Sequence, residues 1–254
     1  MASINESSWR ARLRPLLPPL LLDVYRSARY GSAYQRPGTV VANGTRLDVR
    51  QVQFTLPERP LSELFPGVEF VLVSTPVSEL YRPRDMVVPL AELLTLAAIC
   101  RYQKPKRIFE IGTYTGSSTL VMSLNASHET EILTLDLAPG DLIGSAFRDT
   151  TQSSRIQQLY GNSLSFDFSA YNGTMDLVLV DANHSYECVK SDTEKAFALL
   201  RPGGVIVWDD YRWLEIHAEC SGVTLFLNEL QATRPLYSIA GTRFAIYLDN
   251  GTSQ

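Results

Sequence analysis

Residues 175 to 211 read MDLVLVDANHSYECVKSDTEKAFALLRPGGVIVWDDY. Two apolar runs, Leu177 to Val180 and Val205 to Trp208, flank a segment in which Tyr186, Val189, Ala196, Phe197 and Leu200 recur at helical spacing. Runs with no polar alternation are buried on both faces, which is what a parallel sheet demands, and a helix between them is the crossover that parallel strands require. RPGG is expected to end the helix before the strand VIVWDD begins. Each run stops at an acid: Asp181 in the first case, the pair Asp209 and Asp210 in the second.

The same alternation extends outward from this unit. Upstream, Val87, Leu90, Ala91, Leu94, Ala97 and Ala98 mark a helix face, RIFEIG a buried strand broken at Gly112, a second helix starts near Gly116, and EILTLDL and RIQQLYG follow as strands. Downstream, Val223, Phe226, Leu227 and Leu230 mark another helix. LYSIAGTRFAIYL then gives two strand-like runs around 240 to 243, a hairpin whose last strand runs antiparallel. The fold expected is α/β, a doubly wound and mostly parallel seven-stranded sheet with an antiparallel last strand. This core spans residues 86–254. Residues 1–85 hold most of the prolines and read as an irregular N-terminal extension, with EFVLVS a short candidate strand within it. The extension is expected to serve as an oligomer contact or a substrate lid. Tyr25, Tyr30 and Tyr34 would line a substrate entrance or pack the arm onto a neighbouring subunit.

Composition limits the function classes. A net charge of -4 gives no reason to expect nucleic acid as partner, although residues 1 to 50 carry +5 and leave -9 on the remainder. The three cysteines stand at unrelated spacings and suggest neither a disulfide framework nor zinc, so a cytoplasmic setting is expected. The segment LRPLLPPLLLDVY is interrupted by three prolines and is too short to span a bilayer, so no signal peptide and no membrane partner are expected.

In a doubly wound sheet ligands bind at the carboxyl ends of the strands, where the strand order reverses. After the first core strand, FEIGTYTGSSTL offers Gly112 and Gly116 for a tight turn and a helix start with free N–H groups. The spacing is not G-x-G-x-x-G, which argues against NAD or FAD. Glu110, on a buried strand, is costly unless it meets a positive group or donors. Asp136 ends the second strand, where a carboxylate accepts hydrogen bonds from ribose hydroxyls. Two acids around one loop favour a cationic nucleoside over a pyrophosphate.

At the other strand ends Asp181, Asp209 and Asp210 converge. Like charges that close require protonation or a cation between them, and oxygen donors with room for water suit Mg2+ or Mn2+. The alternative is that one of the paired acids caps the next segment and Asp181 orders a loop. His184, three residues beyond Asp181, is placed to face the same ligand, and histidine is the natural base near neutral pH. His128 and His217 read as structural, and Asn183 as a turn residue or a further metal or substrate ligand.

FEIGTYTGSSTL, LTLDL, GNSLSF and the 175 to 211 segment together resemble class I S-adenosylmethionine-dependent methyltransferases. The nearest branch is the metal-dependent one, with catechol O-methyltransferase-like and macrocin-type sugar O-methyltransferases, over about residues 86 to 248. The resemblance implies that Glu110, Gly112, Tyr114, Gly116 and Ser118 surround the methionine part of S-adenosyl-L-methionine. It puts Asp136 at the ribose, Asn162 and Ser163 by the adenine, and Asp181 beside the cofactor as well as the metal. Asp181, Asp209 and Asp210 would then hold Mg2+ (or Mn2+), and His184 would deprotonate the hydroxyl of a small-molecule acceptor, such as a sugar of a natural product. A homo-oligomer is expected. The competing expectations are metal-independent or N-methyl transfer on the same fold, and a cofactor-binding assembly protein without catalysis.

Overall fold

The computed structural model describes residues 39–42, 44–48, 52–76, 88–212 and 221–250. The arm with Tyr25, Tyr30 and Tyr34, the LRPLLPPLLLDVY run, His217 and Cys220 lie outside the described residues.

The core elements are α2 (Leu90–Gln103), β4 (Arg107–Ile111), α3 (Ser117–Asn125), β5 (Glu131–Asp136), β6 (Ile156–Tyr160), β7 (Met175–Val180), α4 (Tyr186–Leu199), β8 (Leu200–Trp208), α5 (Ser221–Leu230), β9 (Leu236–Ile239) and β10 (Ala245–Leu248). Before them come the hairpin β1 (Thr39–Ala42) and β2 (Thr45–Asp48), then β3 (Glu58–Arg59) and the single turn α1 (Leu61–Leu64). The main sheet has the order β3-β9-β10-β8-β7-β4-β5-β6. The seven expected strands are present, β10 is antiparallel to both its neighbours, and β3 adds an eighth by pairing in parallel with β9. Strand order reverses between β4 and β7, so the ends of these two adjacent strands flank the crevice where this architecture binds ligands.

Alternation along the central strands sorts their side chains into two cores. Phe109, Ile111, Leu133, Leu135, Val178 and Val180 face α4 and α5, packing with Tyr186, Val189, Val223 and Leu227. Ile108, Ile132, Leu177 and Leu179 face α2 and α3, packing with Leu96, Ile99, Leu120 and Met122. Each of these residues is essentially removed from water, which stabilises the fold by about 1.5–3 kcal/mol per large aliphatic side chain before entropy is counted. The described part of the extension shares this core. Leu56 lies in the first cluster, Phe65 and Val68 in the second, and the β1–β2 hairpin packs on α4 and α5.

Two expectations are corrected. EFVLVS is not a strand: Val68–Phe70 form a 3-10 turn and the following residues run extended without a strand partner. Val71 and Val73 pack inward while Phe70 and Leu72 stay 84% and 89% exposed. The Asn125 side chain supplies the pairing a neighbouring strand would have given: its amide donates to the Ser74 carbonyl at 2.7 Å and its oxygen accepts the Ser74 N–H at 2.8 Å. RPGG does not separate helix from strand either. Leu200 already pairs with Met175, and the extra residues are absorbed as an irregularity before Leu177 meets Val205. Gly203 takes φ +79 there and donates its N–H to Asp249 at 2.7 Å.

Candidate active site

The glycine loop is built by contact between strand ends. Gly112 has φ +106, and a Cβ at this position would stand 1.9 Å from the Asp181 carbonyl oxygen, so only glycine lets the end of β4 close on the end of β7. Asp181 in turn donates its N–H to the Ile111 carbonyl at 2.8 Å. Asp136 fixes the loop from the other side. One carboxylate oxygen accepts from the N–H groups of Thr113 (3.2 Å) and Tyr114 (2.7 Å), the other from Leu137 N–H (2.7 Å). Tyr114 is held in the left-handed region at φ +44 with half its surface exposed, and Gly116 caps α3.

Glu110 is fully buried beneath this loop and meets donors, not a cation: the hydroxyls of Ser118 and Thr119, and of Thr134 at 2.6 Å. Burial pushes its pKa up to about 7 despite those three donors, and the charge of Asp181 adds to the rise. Glu110 and Ser118 are thus brought together. Asn162 and Ser163 follow β6 in a tight turn, in which the Asn162 side chain accepts Leu164 N–H (3.0 Å) and Lys195 donates to the Ser163 carbonyl. Sequence reasoning passed over the segment that clamps the loop: Gly144 and Ala146 donate to the carbonyls of Tyr114 and Thr115, both at 2.8 Å, and Phe147 lies under Gly116. It has no periodic pattern to betray it. Leu137 stands 68% exposed directly after β5, next to Asp136.

At the ends of β7 and β8 the structure brings Asp181, His184 and Asp210 together, with one ligand atom of each within 4.8 Å of the others. Ser185 caps α4 and Asn183 turns the chain into it, accepting Ser185 N–H at 2.9 Å. Gly222 allows α5 to close on this turn, since a Cβ there would lie 2.3 Å from the His184 carbonyl oxygen. His184 Nε2 stands 3.0 Å from Asp210 Oδ2 and 3.9 Å from Asp181 Oδ1. Asp210 has φ +63, strained for a residue with a Cβ, a feature that clusters at functional sites.

Asp209 is not aimed at this group. Its Oδ1 accepts Asp210 N–H at 2.7 Å and its Oδ2 meets the Arg243 guanidinium at 3.3 Å. Arg243, from the β9–β10 hairpin, also reaches Asp210 Oδ1 (2.9 Å) and Glu92 Oε1 of α2 (3.2 Å). Sequence reasoning took it for a turn residue. Burial raises the pKa of Asp209 well above the carboxylate range, reinforced by Asp210 and Asp181, and burial likewise raises Asp181. Burial alone would lower Arg243, but Asp209, Asp210 and Glu92 outweigh it and hold the guanidinium charged. His128 lies on an exposed turn, apart from these groups.

Asp181 and Asp210 offer oxygen donors beside His184, with one ligand atom of each within 4.8 Å of the others, and such a donor set fits a hard divalent cation.

Residues 109–211 match the profile of a methyltransferase-domain family. The O-methyltransferase hkm8 of Aspergillus hancockii is 30% identical over 129 residues, 48% of this chain and 51% of that protein, so the match spans about half the relative's length. Among solved structures, the O-methyltransferase from Bacillus cereus in complex with SAH is 20% identical and covers 74% of this chain and 97% of its own, with a TM-score of 0.57. TomG from Streptomyces achromogenes, an O-methyltransferase involved in tomaymycin synthesis and solved with SAM, is 20% identical with 74% and 96% coverage and a TM-score of 0.57. The strand order, the antiparallel β10 and the loop at the β4 end are those of this fold. Residues 109–211 thus match a methyltransferase domain, and the fold is shared with these O-methyltransferases. None of the described helices is long and apolar enough to cross a membrane.

Proposed function

We propose that the chain is an O-methyltransferase that moves a methyl group from S-adenosylmethionine to a hydroxyl of a small molecule, with a divalent cation assisting at Asp181 and Asp210. The observation that carries this reading is the contact of His184 with Asp210, next to Asp181, whose backbone touches the glycine loop at Gly112. When bound, S-adenosylmethionine supplies an electrophilic methyl on sulfur, and Mg2+ or Mn2+ lowers the pKa of an acceptor hydroxyl.

The chain's own residues supply positioning and proton transfer. Asp136 orders the loop through the N–H groups of Thr113 and Tyr114 and keeps lone pairs that would take the ribose hydroxyls, while the carboxylate of Glu110, beneath the loop, would favour a cationic methyl donor. Gly112, Tyr114, Gly116 and Ser118 shape the methionine end, and Asn162, Ser163 and Leu137 the adenine end. His184, held with Nε2 3.0 Å from Asp210 Oδ2, is the residue placed to accept the proton of the hydroxyl. A hard cation prefers the oxygens of Asp181 and Asp210, so His184 stays available as base.

The three proteins named above are O-methyltransferases and one is involved in the synthesis of a natural product, which supports a hydroxylated natural-product acceptor, including a sugar hydroxyl. Unpaired Cys100 and Cys188 accord with a cytoplasmic enzyme, and the extension with a homo-oligomer. The test is methyl transfer from labelled S-adenosylmethionine to a panel of phenols, glycosides and amines, with Mg2+ or with chelator. Methylation of hydroxyls that fails on chelation is expected. Transfer to amines alone would overturn the acceptor, and full activity in chelator would overturn the cation.

A further inference from the structure

Two charged side chains of α4 meet one residue of the turn that follows β6. Gly161 donates its N–H to the Asp136 carbonyl at 2.8 Å, so this turn starts beside the carboxylate proposed to hold the ribose, and a base carried on that ribose meets residues 161–166 next. The turn is closed by its own bonds, from Ser165 N–H (2.9 Å) and Phe166 N–H (2.8 Å) to the Asn162 carbonyl. Lys195 anchors it from outside: its ammonium donates to the Ser163 carbonyl and to the Ser191 hydroxyl (2.9 Å) and stands 5.7 Å over the Phe168 ring. Asp192, three residues earlier and so on the same face of α4, is 1% exposed, and no hydrogen bond of standard geometry reaches either of its oxygens. Burial raises its pKa, opposed first by the Ser163 hydroxyl and then by Lys195, the two groups that face it. A carboxylate buried this deeply is costly unless such donors are turned toward it.

We propose that Asp192 and Lys195 are positioning residues that together orient Ser163, so that its hydroxyl oxygen accepts a hydrogen bond from the 6-amino group of the cofactor's adenine. This rests on the S-adenosylmethionine reading of the proposed function. A serine hydroxyl has one proton and two lone pairs, and an ionised carboxylate can only accept. Beside Asp192 the Ser163 proton is therefore committed inward, and the lone pairs remain for a ligand. An exocyclic amino group donates to such an oxygen, whereas the carbonyl of a hypoxanthine base meets it acceptor to acceptor. Lys195 contributes the other half, since its hold on the Ser163 carbonyl fixes the backbone from which the hydroxyl is aimed. The same helix starts directly after His184 and Ser185, so α4 sets the adenine end and the acceptor end of the site in register.

The experiment measures, by calorimetric titration of the full-length protein, the affinities of S-adenosylhomocysteine and of its deaminated analogue S-inosylhomocysteine for the wild type and for Asp192→Asn, Ser163→Ala and Lys195→Met. The wild type is expected to prefer the adenine compound by about tenfold or more, the loss that follows when a site built for one hydrogen bond meets a ligand that cannot make it. Ser163→Ala removes the acceptor, and Asp192→Asn adds a donor that lets the hydroxyl proton turn outward, so both are expected to cut the preference to within about threefold. Lys195→Met is expected to weaken both compounds alike, by about fivefold or more. A preference kept in Asp192→Asn or in Ser163→Ala would overturn the inference and leave the cofactor reading standing, and so would a wild type that binds both compounds equally. A wild type that binds neither compound at millimolar concentration would overturn the cofactor reading and this inference with it. Should Asp192→Asn not fold, Lys195→Met decides: affinity for S-adenosylhomocysteine within about twofold of wild type would overturn the inference.

Discussion

His184 Nε2 lies 3.0 Å from Asp210 Oδ2, across the ends of two adjacent parallel strands, while the Asp210 side chain is 3% exposed and that of His184 about one third. A buried carboxylate fixes both the orientation and the tautomer of a more accessible imidazole, the arrangement a general base needs. His184→Gln is therefore expected to lower kcat by about 100- to 10,000-fold while the dissociation constant for S-adenosylhomocysteine stays within about twofold. Single-turnover methyl transfer together with calorimetric titration checks both halves. A loss of cofactor affinity as large as the loss of rate would mean that His184 builds the loop and does not act on the acceptor.

Gly112 is the joint between the glycine loop and the end of β7. Gly112→Ala would put a Cβ 1.9 Å from a backbone oxygen at φ +106, so the carbonyl of Asp181 must move. The strained backbone alone costs about 1–3 kcal/mol, and displacement of Asp181 adds to it. Gly173 is the control, with φ +66 and nothing within 4 Å of an added methyl. Gly112→Ala is expected to lose measurable cofactor binding and several degrees of melting temperature, whereas Gly173→Ala binds normally and loses only the backbone cost of about 1–2 kcal/mol. Differential scanning fluorimetry with and without S-adenosylhomocysteine distinguishes them.

The strands that carry this site were legible because the central strands of a parallel sheet are apolar on both faces, and an acid after such a run has to be at a strand end. Asp181, Asp209 and Asp210 were found that way, and His184 by its distance from Asp181. Hidden from the sequence was the direction of each side chain. Nothing in DDY reveals that Asp210 takes φ +63 or that Asp209 turns the other way. Arg243 was read as part of a hairpin turn because its partner Glu92 is 151 residues away, and no local pattern encodes that distance. EFVLVS misled for a related reason: alternation reports which residues face inward, and a side-chain amide satisfied the backbone as well as a strand would have done.

If the buried Glu110 serves the cofactor as proposed, cofactor recognition is expected to depend on pH. The Glu110 pKa of about 7 means the carboxyl is largely neutral at pH 6 and ionised at pH 8. A sulfonium cation nearby favours the ionised form, so S-adenosylmethionine should bind more tightly as pH rises from 6 to 8. S-adenosylhomocysteine, without the sulfonium charge, should change little. The ratio of the two affinities is expected to grow by about three- to tenfold over that window and to stay flat in Glu110→Gln. Folding stability moves the opposite way. The folded pKa of about 7 exceeds the ordinary 4.5, so stability is lost as pH climbs from about 4.5 to 7, by about 3 kcal/mol in all, and Glu110→Gln removes that slope. Calorimetric titration in buffers of different ionisation enthalpy, with urea melts at the same pH values, reads both.

Tyr211 ties the N-terminal segment to the catalytic strand end. Its hydroxyl accepts the buried N–H of Leu56 at 2.9 Å and donates to Asn228 at 2.8 Å, and Asn228 reaches back to the Gln53 carbonyl at 2.6 Å. The ring itself is fully buried and meets Phe54 edge-on at 5.6 Å, so Tyr211→Phe keeps the packing and removes only the hydroxyl. Leu56 N–H is then stranded in the core, at a cost of about 1–3 kcal/mol. In a chain of this size that corresponds to about 2–4 °C of melting temperature per kcal/mol. Because Tyr211 directly follows Asp210, loosening this tie also frees the strand end that orients the carboxylate. Tyr211→Phe is expected to lower the melting temperature, to open residues 52–59 to limited proteolysis, and to reduce methyl transfer more than cofactor affinity. An unchanged cleavage rate would show that β3 and Leu56 hold the segment without the hydroxyl.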